Sequence, residues 1–447
     1  MAGFTPGTLS LSRSLVRQAR GLTIDQLPRE VVAKVKIGLL DFLSCAFEAR
    51  DLPWGCQAIR IASSASGEAT VIGTPVRSSP MEAAFANATL GHGLVREDMH
   101  AGAVSHLGVV IVPTLLALAQ QQKASGVDFI LGAVCGYEIG AAVGQAIMDQ
   151  EMVRRFRPTG ITGPLAGAIA GSRLLKLDED ATVSALGFAA NATGGLNEWP
   201  YCGGDEMFFH PGFAARSAVT AVELASLGAR ASESALDGRA GLFAGLNKTD
   251  CISRIMPFSG GPFEILSVYY KPAPACNYAQ TACQAALAVA AQDGFPSAEI
   301  ESIVVRASSA AVGYPGCDYP GPFERILQAK MSIQYCVAAT LARGAIEESN
   351  YHSLKDPEIN RLAGITKLEI DSSFTDAYPT MQGTEVIVRL RDGRVAESRL
   401  DDVIPATPDL IRARFRSACS NWRAVEEMIE DLDQLEDLAI LSGGLSA

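Results

Sequence analysis

Val127-Asp128-Phe129-Ile130-Leu131-Gly132-Ala133-Val134-Cys135-Gly136-Tyr137-Glu138-Ile139-Gly140-Ala141-Ala142-Val143-Gly144-Gln145-Ala146 is the run whose reading decides the fold. It is long and apolar enough to suggest a bilayer span, yet Tyr137 and Glu138 interrupt it and Gly and Ala fill it. Such small residues let helices approach closely, so the run reads as a helix buried among helices and not as a membrane span. Its neighbours read alike. Val109 to Gln121, Gly163 to Leu175, Glu179 to Thr193 and Gly212 to Leu227 are small-residue helices. Ahead of them, Asp25 followed by Pro28 opens a helix with Val31, Val35, Leu39, Phe42 and Cys45 on one stripe, and Ser79-Pro80 opens another through Met81 to His92. To about Phe258 the expectation is a central, all-buried helical bundle.

After about Gly261 the texture changes. Ser302 to Arg306 and Lys367 to Asp371 alternate like short strands, and Thr384 to Leu390, Asp392-Gly393 and Arg394 to Leu400 predict a β-hairpin. With helices over Ala279 to Ala291 and Ala329 to Arg343, this makes a smaller α+β unit. Pro408 to Ile440 returns to amphipathic helix, which predicts that the end of the chain packs back on the first unit.

The 447 residues are 48% apolar and only 19% charged, against roughly 25% charged for ordinary globular domains. Much surface is therefore buried, in a large domain or an obligate oligomer. The net charge of -12 argues against nucleic acid or an anionic membrane as partner, and makes any acidic substrate depend on local cations. Ten cysteines without a Cys-x-x-Cys pair, and no signal-peptide pattern, predict reduced thiols in a cytoplasmic protein.

Three of the five histidines, 92, 100 and 106, fall close together in Gly91-His92-Gly93-Leu94-Val95-Arg96-Glu97-Asp98-Met99-His100 and His106-Leu107-Gly108. A helix end there delivers Glu97, Asp98, His100 and His106 into a glycine-containing loop, and imidazoles near their ordinary pKa of about 6.5 both take and give protons. His92 reads equally as a core histidine. A metal-dependent hydrolase using Glu97, Asp98, His100 and His106 is an alternative that lacks a recognised ligand spacing. No phosphate-binding loop, nucleophile elbow or dinucleotide fingerprint is present. Lys271 lies between two tyrosines and Pro272-Ala273-Pro274, which would aim its ammonium at a carboxylate or make it an acid/base; a surface lysine is the plainer reading. Arg154-Arg155-Phe156-Arg157-Pro158 precedes a helix, a natural anion seat for one arginine, with the others solvated or paired.

Taken in order, these segments resemble the MmgE/PrpD family. The resemblance is carried by Gly73 to Ala119, Gly136-Tyr137-Glu138, Arg155-Phe156-Arg157-Pro158-Thr159-Gly160, His210-Pro211-Gly212-Phe213-Ala214-Ala215-Arg216, the Lys271-Pro-x-Pro-x-Cys stretch, Ala329-Lys330-x-Ser332 and the Asp-Gly hairpin, across about nine tenths of the chain. It implies a mainly α protein with a large all-helical bundle domain, placed at 1–262 and 405–447, plus a smaller α+β lid domain at 263–404. It further implies a cleft between them, a homodimer, and neither metal nor organic cofactor. Family reactions are 2-methylcitrate dehydration, cis-aconitate decarboxylation and iminodisuccinate epimerisation. Carried over, His106 and Lys271 are catalytic, with His100 and Asp98 in the acidic loop. Arg157, His210, Tyr319, Gln280 and Glu97 are expected to meet the substrate. The chain departs from the family at Val95, Met99, Arg157, Met207 and Gln280, where acidic residues, Thr or Gly, His, Lys and His are usual. The expectation is a cofactor-independent lyase of a small di- or tricarboxylate. Lys271 and Arg157 would hold carboxylates, His106 and His100 exchange a proton, and Asp98 orient an imidazole. An epimerase with the same proton chemistry, or a carboxylate-binding protein without catalysis, are the alternatives.

Overall fold

The computed structural model describes residues 9–292 and 295–446, so the outermost residues of the expected first domain, 1–8 and 447, lie outside it. Its principal helices begin with α1 (Arg29–Ala49), α2 (Pro80–His92), α3 (Gly108–Gln122) and α4 (Gly126–Ile147). They continue with α5 (Pro158–Leu174), α6 (Glu179–Asn191) and α7 (Glu206–Ser226). Short polar side chains start three of them: Ser79, Ser125 and Asp178 accept from backbone N–H groups in the first turns of α2, α4 and α6. The stripe Val31, Val35, Leu39, Phe42 and Cys45 is buried along α1. Helix α4 is apolar enough by composition to cross a membrane, but 94% of its most apolar window is buried within the protein. It lies against α5 so closely that a Cβ on Gly132 would stand 2.8 Å from the Ala170 carbonyl oxygen.

Three helix boundaries differ from expectation, each for a local reason. Helix α5 starts at Pro158, not Gly163, and α7 starts at Glu206, not Gly212. The first N–H groups of a helix have no intrahelical partner, so Pro158 loses nothing at the first position, whereas Pro211 lies inside α7, which continues through it at the loss of one N–H donor. The helix expected over Ala329 to Arg343 is broken at Ser332, whose hydroxyl accepts from Tyr335 N and so starts a new helix.

The later part holds α8 (Gln280–Ala290), α9 (Ile326–Met331) and α10 (Ile333–Arg343), then α11 (Pro408–Ala418) and α12 (Trp422–Glu430). Besides a short antiparallel pair, Ala69–Thr70 with Arg77–Ser78, the strands are β1 (Asp98–His100), β2 (Val268–Tyr270), β3 (Ile300–Ala307), β4 (Thr366–Ile370), β5 (Thr384–Leu390) and β6 (Val395–Leu400). Sheet order is β4-β3-β5-β6, with β3 and β4 parallel and the other pairs antiparallel. The β5–β6 turn uses Gly393 at φ +88°, a conformation glycine adopts without strain. Strands β1 and β2 form a separate antiparallel pair.

Two apolar cores result. The first runs from Leu15 to Tyr270 and resumes from Ala406 to Leu445; the second runs from Ala273 to Ala396. Trp54, Val95, Val153, Trp199, Met207 and Phe208 reach from the N-terminal part into the second core. The seam therefore passes through Lys271, between Tyr270 of the first core and Ala273 of the second.

Candidate active site at the seam of the two cores

The β1–β2 pair builds the site. Its register sets Asp98 opposite Tyr270 and His100 opposite Val268, so one step further Glu97 faces Lys271. Glu97 Oε1 is 3.7 Å from Lys271 Nζ, and both side chains are almost wholly buried. Helix α2 ends at His92, and the chain then turns through Val95 at φ +57°. A β-branched residue there costs roughly 1–3 kcal/mol. The Val95 carbonyl accepts from Lys271 Nζ at 2.6 Å, and a charge-assisted hydrogen bond of about 1.5–3 kcal/mol is large enough to offset that strain.

Hydrogen bonding assigns the imidazole protons. Arg157 Nη2 donates to His92 Nε2 at 3.2 Å, so His92 carries its proton on Nδ1 and donates it to Glu97 Oε1 at 2.8 Å. His106 Nδ1 lies 2.8 Å from the Asp98 carbonyl, which only accepts, and 3.1 Å from Glu97 Oε1. Its proton therefore sits on Nδ1, and Nε2 is left basic, with no hydrogen bond among the described residues. Burial holds both imidazoles below their usual value, His106 well below, despite the pull of Glu97. Burial alone would raise the Glu97 carboxyl. His92, the Lys271 ammonium and His106 reverse this and hold it well below the usual carboxylate range. With both rings neutral, the ammonium supplies the charge and the rings supply N–H dipoles. Lys271 is itself pushed down by burial against the pull of Glu97.

Arg157 stands at the N-cap of α5. Its guanidinium lies 5.7 Å from the Trp199 ring centroid, and Nη2 is 3.8 Å from Met207 Sδ. Its Nε is buried without a hydrogen-bond partner, as is His210 Nδ1. Among the described residues Arg157 pairs with no carboxylate, whereas Lys271 faces Glu97, Lys330 faces Glu348 and Arg96 faces Glu48. Gly195, at φ +104°, lets Arg157 and His210 flank it: a Cβ there would meet the Arg157 Cβ at 3.2 Å and the His210 ring at 3.5 Å. Burial, then Arg157 and His92, lower His210 to about 3. A buried guanidinium with no counter-ion is unfavourable on its own and is relieved by an anion.

The structure thus brings Glu97, His106, Lys271, Arg157 and His210 together and sets the other expected residues apart. His100 is committed elsewhere: Nδ1 accepts from Ala103 N at 3.1 Å and Nε2 donates to Glu264 at 2.8 Å. No free nitrogen remains on it for proton exchange with His106. The Asp98 carboxylate accepts from Tyr137 Oη at 2.7 Å and from Gly108 N at 3.2 Å, so its backbone carbonyl, not its side chain, orients the imidazole. Gln280 spends its amide on backbone, accepting from Ala273 N and donating to the carbonyls of Ala273, Ala275 and Cys276. It braces the turn that carries Lys271 and has no polar atom left for a ligand. Tyr319 donates to the Pro322 carbonyl and lines a cavity of about 370 Å³ with Trp199 and Gln328, without a hydrogen bond to the cluster. Arg154 and Arg155 are exposed, the latter paired with Glu151. Among the described residues no group of three or more His, Cys, Asp or Glu side chains is arranged to hold a metal ion. Sequence reasoning left His92 undecided and gave Lys330 no role. Its motif position was the only signal for Lys330, while a histidine in the last turn of α2, five residues before Glu97, pointed to His92.

Two family models match the chain, the MmgE/PrpD N-terminal domain over residues 13–254 and the MmgE/PrpD C-terminal domain over residues 273–438. A cis-aconitate decarboxylase-like protein of Aspergillus oryzae is 27% identical over 466 residues, covering 94% of each chain. Human cis-aconitate decarboxylase is 27% identical over 459 residues, covering 96% of this chain and 92% of its own. The cis-aconitate decarboxylase of Aspergillus terreus is 32% identical over 233 residues, which is 50% of this chain and 47% of its own. The two matched models meet between residues 254 and 273, beside the seam where Glu97, His106 and Lys271 gather, and the chain belongs to the MmgE/PrpD family.

Proposed function

We propose that the chain is a lyase that removes the proton from the carbon next to a carboxylate of a small di- or tricarboxylic acid. The observation that carries this is His106: Nδ1 is tied to the Asp98 carbonyl and Glu97, leaving Nε2 as an unprotonated base in the cluster that also holds the buried cations Lys271 and Arg157. Relatives named as acting on cis-aconitate, and a 2-methylcitrate dehydratase-like relative 30% identical over 161 residues, support the substrate class.

In this reading the substrate carboxylate neutralises Arg157, with His210 at its side. His106 Nε2 takes the carbon-bound proton. The electron pair spreads into the carboxylate as an enediolate, and the guanidinium stabilises the growing charge. Lys271, already neutralised by Glu97, holds the acid loop and the local potential and leaves substrate binding to Arg157. Loss of hydroxide from the neighbouring carbon completes a dehydration, whereas return of the proton to the other face gives epimerisation.

Incubation in heavy water with succinate, malate, citrate, cis-aconitate and 2-methylcitrate, followed by proton NMR, tests this. A new vinyl signal supports the lyase, and exchange without net conversion transfers the reading to an epimerase. Absence of exchange on every acid rejects the proton chemistry. His106→Asn should lower any exchange by at least about a hundredfold, the usual weight of a general base. Arg157→Met should raise KM and also lower kcat, because the guanidinium both binds the carboxylate and stabilises the charge that grows on it.

A further inference from the structure

We infer that Lys330 is a positioning residue of this site: with Lys271 it clamps two consecutive carbonyls of the acid loop and thereby fixes where Glu97 stands. This rests on the proton-transfer reading above. Lys330 lies on α9 between Ala329 and Met331 of the second core and is completely buried. Its ammonium donates to the Leu94 carbonyl at 3.0 Å, the Pro274 carbonyl at 3.0 Å and the Glu348 carboxylate at 2.6 Å. A buried ammonium must place three N–H donors, and beyond Glu348 the acceptors that satisfy it are backbone carbonyls of two separate loops. Here one bond reaches the loop that carries Glu97 and another the loop that carries Lys271, so both halves of that ion pair are tied to it.

The next carbonyl along, Val95, is held by Lys271. Between these two carbonyls the chain changes sides: Leu94 packs with Cys45 and Ala49 of α1, whereas Val95 packs in the second core. The crossing is made with Val95 left-handed, where glycine or asparagine would sit at ease and a β-branched residue does not. Two ammonium groups on adjacent carbonyls hold this kink, and Glu97 follows two residues later.

Lys330→Met/Glu348→Gln removes the clamp without stranding a buried charge, and Val95→Gly removes the strain that the clamp opposes. In the ligand-free protein, amide hydrogen exchange over residues 94–99 should be at least tenfold faster in the double variant, with α4 unchanged. On whichever of succinate, citrate or cis-aconitate the parent protein acts, kcat should fall at least tenfold and KM stay within twofold, because Arg157 and His210 lie off this loop. Adding Val95→Gly should recover most of kcat. Unchanged amide exchange over 94–99, or no recovery with Val95→Gly, overturns the clamp. If the parent acts on none of the five acids named above, the proton-transfer reading falls and amide exchange alone decides the clamp; if it acts only on malate or 2-methylcitrate, kcat and KM are read on that acid. Should the double variant not fold, Lys330→Arg, whose planar guanidinium cannot reproduce the three-way donation, is read by the same measurements.

Discussion

Asp41, on α1, is 1% exposed, and its Oδ1 has no hydrogen-bond partner. Burial pushes its carboxyl up to about 7, against the pull of Arg96. The folded state therefore keeps a proton that the unfolded chain releases, and Asp41 lowers stability progressively as pH rises from about 4 to about 7. Asp41→Asn lacks this loss and should gain on the parent by a few kcal/mol (~1.4 per pKa unit) across that window. Urea denaturation at pH 4, 6 and 8 reads the difference, and parallel curves for the two proteins would show a solvated carboxyl. His106 has the opposite sign. Its folded value lies well below 6.5, so the ring stays a competent base into mildly acid solution, and the acid limb of kcat/KM should lie well below pH 6.5. A limb at or above 6.5 would mean that water reaches the ring. The residue types around His106 were legible in the sequence, because acids and histidines cluster in one short segment. The partner that fixes its tautomer was not, because a backbone carbonyl has no signature in residue identity. Gln280 and His100 misled for a related reason: a polar side chain announces hydrogen bonding but not whether backbone or ligand satisfies it.

Elements decide which of these side chains meet. The helices and the Asp392-Gly393 hairpin could be read because start signals and alternation extend over many residues. Strands β1 and β2 could not, since each spans three residues and all of Asp98–His100 is buried, leaving no alternation. Yet that pair sets Glu97 against Lys271, so the element most important to the site is the one with the weakest sequence signal. The start of α5 is comparably sensitive. A Cβ on Gly160 would lie 2.0 Å from the Gly194 carbonyl oxygen, a backbone approach no side chain can relieve. Gly160→Ala should therefore displace the first turn of α5 together with Arg157. Overpacking of this kind costs about 1–3 kcal/mol, and the expected reading is a lower melting temperature with roughly tenfold weaker carboxylate binding by calorimetry. Gly364→Ala, with open space around its Cβ, is the control and should leave both unchanged.

At the scale of the whole molecule, the last helices return to the first core and also support the lysine loop. Ile411 and Phe415 of α11 are completely buried, and the Phe415 ring centroid lies 6.4 Å from that of Phe47 on α1. Between them in sequence, Arg414 donates to the carbonyls of Lys271 at 3.1 Å and Pro272 at 2.6 Å. One helix thus serves two purposes through adjacent residues, and the two are separable. Phe415→Ala opens a cavity in the first core and should cost about 3–5 kcal/mol, read as a lower melting temperature. Arg414→Ala removes two carbonyl partners from a half-buried surface and leaves that core packed, so melting should change little. Lys271 would lose the anchor of its backbone and, with it, its aim at Val95 and Glu97, so kcat should fall while the fold persists. Thermal denaturation and proton exchange on the same samples distinguish the two effects. If Arg414→Ala melts as early as Phe415→Ala, the helix is only part of the packing. If Arg414→Ala leaves both measurements at parental values, the Lys271 loop is held without it, by Gln280 and Lys330 alone.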